Sequence, residues 1–345
     1  MHHVTYYVGI DISSDHFTVT VITSPTAVVA LGKQFSNSVD GFAEFLALLH
    51  HHNVASLATV CCLEATGVYG EQLCYFLQAN GYPVAVEPPL KVKRAFAVAG
   101  HKTDAVDSQQ IAEYAYRFVD ELHLWVPKSG ILEQIRILLT AREQFTEQKV
   151  ANQNMLTMLH RKYIQTPVAN TRYELTIAQL IENIKAIDKE LKNLITSDPN
   201  FRQMIQSLMS IPGVGMLLAT QLMVVTENFS RPVNARQLSA YIGICPYEHQ
   251  SGSSVYKRPR SRRHGPSALR KLLYLAAMSV RTHRAEFKTY FLRKVAEGKS
   301  PRLVINNIAN KLLKIICAVA TTRSTYFAGY RSIHPTMVQR GLTLS

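Results

Sequence analysis

Apolar positions at the front of the chain fall in short runs rich in β-branched and aromatic side chains, separated by turn-forming residues. Tyr6 to Ile10 and His16 to Ile22 read as two strands and Ala27 to Phe35 as a third, so the fold opens as a meander. The period then changes. Val39 to His50 carries helical apolar spacing, Leu57 to Leu63 is a short buried strand, Gly70 to Ala79 a helix, Pro83 to Val86 a further strand and Asp104 to Phe118 a helix. Strands that pair locally and then alternate with helices predict an α/β layer on a mixed sheet.

From Ile131 to Leu159 the pattern is helical throughout, and after a break around Pro167 it is helical again from Tyr173 to Ile195. In this second stretch Ile177, Leu180, Ile184, Ile187, Leu191 and Leu194 step by 3, 4, 3, 4, 3, the a/d rhythm of a helix seam. The seam fits an antiparallel hairpin, a coiled coil between subunits, or two amphipathic helices packed on their own domain. Asp198-Pro199 marks a boundary. Beyond it helices are expected over Leu217 to Thr226, Ala235 to Ile242, Ser267 to Thr282 and Leu303 to Val319, with a basic loop or hairpin over Pro246 to Pro266. The expected organisation is therefore an α/β domain over 1–125, a helical coiled-coil linker over 126–200, a mainly helical domain over 201–330 and a tail over 331–345.

With 345 residues and 47% hydrophobic content, the chain can bury more than one core. No apolar run approaches the roughly 18 residues that span a bilayer, and Met1, His2, His3, Val4 begin no signal peptide, so a cytoplasmic, nucleoid-associated protein without membrane partners is expected. The five cysteines, Cys61, Cys62, Cys74, Cys245 and Cys317, form no C-x-x-C pair and read as reduced, mostly buried thiols. The net charge of +14 is unevenly placed: Arg231 to Arg302 holds 16 lysines and arginines against three acids, whereas Met1 to Asp107 holds five against nine. Such segregation has little reason on a solvated surface without a polyanionic partner and suits a protein that grips phosphates.

Four acids stand out at the front. Asp11 follows the apolar run Tyr7-Val8-Gly9-Ile10, and Glu64 ends Val60-Cys61-Cys62-Leu63, so each carboxylate lies where a buried strand emerges. Asp104 and Asp107 are three apart at a helix start, share one face and lie near the positive end of the helix dipole. Hard divalent cations such as Mg²⁺, with Mn²⁺ as a substitute, take carboxylate oxygens, and phosphodiester chemistry uses pairs of them. Singly, Asp104 also suits a helix cap and Glu64 a surface carboxylate.

At the back, Ile211-Pro212-Gly213-Val214-Gly215 resembles the hairpin of helix-hairpin-helix modules, whose backbone N–H groups approach phosphate; a plain tight turn is the other reading. Further on, His249-Gln250-Ser251-Gly252 leads into Lys257, Arg258, Arg260, Arg262 and Arg263, with Arg270 and Lys271 following. Surrounding cations stabilise charge at a phosphate under attack, so a serine here is a candidate nucleophile. Ser251 shares its loop with Ser253 and Ser254, and His249 is a candidate proton acceptor.

The order of these motifs is similar to the DEDD-type insertion-sequence transposases related to the Piv invertase, the bridge-RNA-guided recombinases. Gly9-Ile10-Asp11, Glu64-Ala65-Thr66-Gly67 and Lys102-Thr103-Asp104-Ala105-Val106-Asp107 match the blocks of the acidic tetrad. Ile211 to Gly215, Tyr241 to Pro246, Ser251-Gly252 and Leu269 to Tyr274 match the transposase domain. The resemblance implies a RuvC-like (RNase H-like) first domain, an assembly-forming helical linker, and a second domain whose serine, here Ser251, becomes covalently joined to DNA. It also implies a structured non-coding guide RNA that pairs with donor and target DNA, and a dimer assembling to a tetramer in which acids and serine come from different subunits. Ser14 departs from the pattern, since many relatives carry lysine there.

Two other functions stay open at this level. A metal-dependent nuclease or junction resolvase would hydrolyse DNA with water and leave Ser251 a phosphate contact. A non-catalytic binding protein would need none of the four acids, and all four are present.

Overall fold

The computed structural model describes residues 4–65, 67–96, 103–127, 129–230, 234–251, 255–261 and 265–327; within these, residues 248–251 and 255–260 are described by backbone only. The chain divides into two compact units, Met1–Pro127 and Lys128–Ser345.

In the first unit a five-stranded sheet has the order β3-β2-β1-β4-β5. Strands β1 (Tyr6–Ile12), β2 (His16–Ser24) and β3 (Ala27–Ser36) form the expected antiparallel meander, and β4 (Thr59–Glu64) and β5 (Val84–Glu87) add on the other side of β1, both parallel. The central strands are buried on both faces, so they read as continuous apolar runs. One face packs Val8, Ile10, Phe17, Val19 and Leu63 against helices α1 (Val39–His51) and α2 (Glu71–Ala79). The other carries Tyr7, Cys62 and Ala85 beneath α3 (Pro89–Arg94) and α4 (Asp104–Arg117). Ser38 caps α1 by accepting from the Gly41 N–H, and Thr103 caps α4 by accepting from Val106.

The second unit begins with two helices of 31 residues each, α5 (Gly130–His160) and α6 (Pro167–Ser197). The break falls just before Pro167, which is the first residue of α6, where its missing N–H costs no helical bond. The two form a hairpin, tied across by a bidentate contact from Arg142 to Asp188 (2.6 and 3.1 Å). Along the α6 seam Leu180 and Leu191 are buried, and Ile177, Ile184, Ile187 and Leu194 are half-buried. At its base Leu132, Ile135, Leu139, Leu191 and Ile195 join a core shared with α7 (Pro199–Met209), α8 (Met216–Val225), α9 (Ala235–Ile242), α10 (Ser267–His283), α11 (Ala285–Ala296) and α12 (Pro301–Thr322). Between α9 and α10 stands a two-stranded antiparallel hairpin, β6 (Pro246–Ser251) and β7 (Val255–Ser261).

Helix α12 is long and apolar enough to cross a membrane by length and composition alone, which a search for unbroken apolar runs overlooks. Its Val304, Ile308, Leu312, Leu313 and Ile316 are buried in the second core, as in the central helix of a globular domain. Of the five cysteines four are buried and Cys245 is half-buried, and all are free.

Candidate functional site

Strand periodicity and one glycine set the elements that carry the front acids against one another. Gly9 and Asp11 are two apart on β1 and share a face, and Gly9 pairs with Cys62 on β4, which shares its face with Glu64. A Cβ on Gly9 would come within 2.1 Å of the Ser108 carbonyl oxygen and 2.3 Å of the Ala112 nitrogen, so α4 lies directly on the bare backbone of β1. Asp104 is one turn before Ser108, and this close approach carries the first turn of α4 toward the end of β1 that bears Asp11. The Thr20 and Ser108 hydroxyls meet at 2.8 Å and fix the helix against β2. Gly9→Ala is expected to lower unfolding free energy by about 1–3 kcal/mol, because a backbone contact must give way. Denaturant melts of the full chain measure the loss, and an unchanged midpoint would remove the packing argument.

Asp11, Glu64 and Asp107 are half-buried and Asp104 is exposed. His16 Nε2 lies 3.6 Å from Asp104 Oδ2. Glu87 pairs in register with Glu64 and is 2% exposed, its Oε2 3.1 Å from Lys91 Nζ. Neither His16 nor Glu87 was singled out from sequence, although Glu87 closes an apolar strand as Glu64 does. Burial first, and then the Glu87 and Glu64 charges, push the Cys62 thiol up to about 12, so it stays protonated beside the acids. The donors on this face are hard carboxylates, which suit Mg²⁺ or Mn²⁺. Among the described residues no three acidic, histidine or cysteine side chains are already drawn together as a metal centre.

In the second unit Ser251 ends β6, in register with Val255, while His249 pairs with Lys257 and Tyr247 with Arg260. Lys257, Arg258 and Arg260 lie on β7. Gly252, Ser253, Ser254, Arg262 and Arg263 lie outside the described residues. Arg270 donates to the Ile242 carbonyl at 2.9 Å, and the neighbouring Lys271 is exposed. Gly213 has φ +81°, and a Cβ there would meet Val280 Cγ1 at 2.7 Å and the Ala276 oxygen at 2.9 Å, so this turn seats on α10. Pro212 precedes it in the same turn, and Gly215, with open space around its Cα, caps α8.

A mixed sheet with acids on β1, β4 and α4 is thus followed in sequence by a helical unit bearing a hairpin whose second strand is rich in lysine and arginine. A transposase model of the IS110 DEDD type matches residues 8–164, and a model described as "Transposase IS116/IS110/IS902 family" matches residues 205–292. The chain belongs to this IS110-type DEDD transposase family. It is 29% identical over 321 residues to the pilin gene-inverting protein of Moraxella lacunata, covering 91% of this chain and 95% of that protein. It is 28% identical over 307 residues to the transposase for insertion sequence element IS1111A of Coxiella burnetii, covering 80% and 82%. Thermus thermophilus RuvC, solved in complex with a Holliday junction substrate, aligns at 16% identity over 35% of this chain and 99% of that chain; its TM-score of 0.29 does not define a shared fold.

Proposed function

We propose that the chain is an RNA-guided DNA transposase/recombinase that cuts and rejoins donor and target DNA, using Asp11, Glu64, Asp104 and Asp107 on a RuvC-like domain together with Ser251. The observation that supports this reading is the packing of α4 on Gly9, which sets the helix bearing Asp104 and Asp107 against the strand bearing Asp11. Those carboxylates would hold Mg²⁺ or Mn²⁺, which supplies charge stabilisation for in-line displacement at phosphorus. The relatives' names, a gene-inverting protein and an insertion-sequence transposase, support a reaction in which DNA is both cut and rejoined. Lys257, Arg258, Arg260, Arg262, Arg263 and Lys271, with the Pro212–Gly215 turn, are assigned to backbone phosphates.

The guide is a structured RNA, and the test is sequencing of nucleic acid that co-purifies with the full chain. One defined, folded RNA is the expected result. Random fragments would overturn RNA guidance and favour a hydrolytic nuclease.

Assembly is assigned to the far end of the α5–α6 hairpin, where Tyr163, Ile164 and Val168 are 101%, 80% and 71% exposed. Apolar groups this exposed at one tip suit a second subunit. Leu191, by contrast, belongs to the second core, so a lysine there strikes the fold itself. Ile164→Lys with Val168→Lys is expected to lower the oligomeric state by light scattering and leave the melting temperature within a few degrees. An unchanged assembly would place the subunit contact elsewhere.

A further inference from the structure

The β6–β7 hairpin is held at its root by a polar cluster that the function proposed above does not use. Helix α9 ends at Gly243 in the left-handed region (φ 79°), and the Ser239 carbonyl accepts from the N–H groups of Gly243, Ile244 and Cys245 at 3.1, 3.0 and 3.2 Å. One residue past Cys245 the chain enters β6. The Ile244 carbonyl accepts from two asparagines of α12, Asn306 Nδ2 at 3.0 Å and Asn310 Nδ2 at 3.3 Å. Asn310 is fixed in turn by the Ser239 hydroxyl, which donates to its Oδ1 at 2.7 Å, and by its own donation to the Asn306 carbonyl at 2.9 Å. From α10, Arg270 donates to the Ile242 carbonyl at 2.9 Å.

The exit of the hairpin meets the same point. Gly265 has φ +105°, and a Cβ there would fall 1.9 Å from the Tyr241 oxygen, so the returning chain presses against the end of α9. The entry is therefore gripped by side chains of α9, α10 and α12, and Gly265, before α10, packs backbone to backbone on the end of α9. The two asparagines are half-buried on a helix whose neighbours Val304, Ile305, Ile308, Ala309, Leu312 and Leu313 are fully buried. Amides placed there lose water, and their hydrogen bonds to Ile244 replace it.

We propose that Asn306 and Asn310, with Ser239 and Arg270, are positioning residues that set the angle at which the β6–β7 hairpin leaves the helical unit and so the place of Ser251. The inference rests on the reading of Ser251 as nucleophile. Six residues of β6 reach about 17 Å, so a tilt of about 5° at the root moves the far end by about 1.5 Å. A misplacement of about 1 Å at a reacting group costs on the order of 100-fold in rate. Loss of the clamp is therefore expected in the chemical step and not in DNA binding.

The experiment measures single-turnover formation of the protein–DNA adduct on a nicked duplex carrying the element's own terminus, using the full chain with its co-purifying nucleic acid. Asn310→Ala is expected to slow adduct formation at saturating DNA by at least about tenfold, while the half-saturating DNA concentration moves less than about twofold. Asn306→Ala leaves Asn310 still donating to Ile244, and is the milder variant should Asn310→Ala fail to fold; a loss of about threefold or more is expected. Melting curves recorded alongside separate this from unfolding. Rates equal to wild type at saturating DNA, or losses that only track weaker DNA binding or a fallen melting temperature, would overturn the clamp. A wild-type adduct that maps away from Ser251 would overturn the serine assignment and this inference with it, whereas a Ser251 adduct formed equally fast by the variants overturns the clamp alone.

Discussion

Ser251→Ala is expected to abolish the covalent protein–DNA adduct while leaving RNA and DNA binding, and their steep salt dependence, intact. In the proposed step the Ser251 hydroxyl gives up its proton as Oγ bonds to phosphorus. The phosphodiester bond to the departing strand end breaks, and that end takes up a proton. One phosphate ester is exchanged for another, so the link can be reversed onto a new strand end without an external energy source, which hydrolysis does not allow. Ser251 closes β6, and Ser253 and Ser254, its near neighbours in sequence, are the controls. A suicide substrate with a nick near the exchange point should trap the adduct from wild type, Ser253→Ala and Ser254→Ala. Mass spectrometry should place it on Ser251. Recombination by Ser251→Ala at the wild-type rate, or an adduct on another residue, would return the acids to a hydrolytic role. The positive strand β7 makes a companion prediction: Lys257→Ala or Arg260→Ala should weaken DNA binding across sequences and flatten the salt dependence by roughly one charge each.

Local pattern made much of this fold legible, and nonlocal pairing hid the rest. The runs of β1, β2 and β4 are buried on both faces and rich in β-branched residues, and their strand character follows from the residues themselves. Phe201, Met204, Ile205 and Leu208 stand at the helical spacing of α7, but Asp198-Pro199 reads in sequence as a boundary when it is in fact a cap and first turn. Helix α11 gave little signal: only Phe287 and Phe291 are buried in a charged segment. The β6–β7 hairpin could equally have been a loop, since its period-two signal is diluted by basic residues. Acids at strand ends were visible as chemistry. What was not visible is that Gly9 is the seat of α4, that Glu87 is buried against Lys91, or that Asn306 and Asn310 reach back to Ile244, because each depends on a partner distant in sequence or on burial that spacing does not encode. At Gly213, proposed above for phosphate approach, the structure adds a packing requirement that spacing does not encode, since a Cβ there would meet Val280 and Ala276 of α10.

Removing one carboxylate from the front face is expected to cost DNA cleavage at least about 100-fold, the scale on which a single preorganised electrostatic group acts in a transition state. Asp11→Ala and Asp104→Ala are the informative pair because their structural settings differ. Asp11 is half-buried on the central strand β1, whereas Asp104 is exposed in the first turn of α4, so a shared loss of activity cannot come from a shared loss of packing. Asp104→Asn keeps the shape and removes the charge; it should behave as Asp104→Ala does if charge at the cation is what matters. Excess chelator should reproduce the defect in wild type, and Mg²⁺ or Mn²⁺ should restore it, because hard divalent cations bind carboxylate oxygens and stabilise the charge of in-line displacement. His16, 3.6 Å from Asp104, serves as the internal control: His16→Gln removes the imidazole beside Asp104 without removing a carboxylate, and its loss should be much smaller than that of Asp104→Asn. Cleavage that survives both Asp11→Ala and chelator would exclude the acidic face from the chemistry and leave Ser251 to act without it.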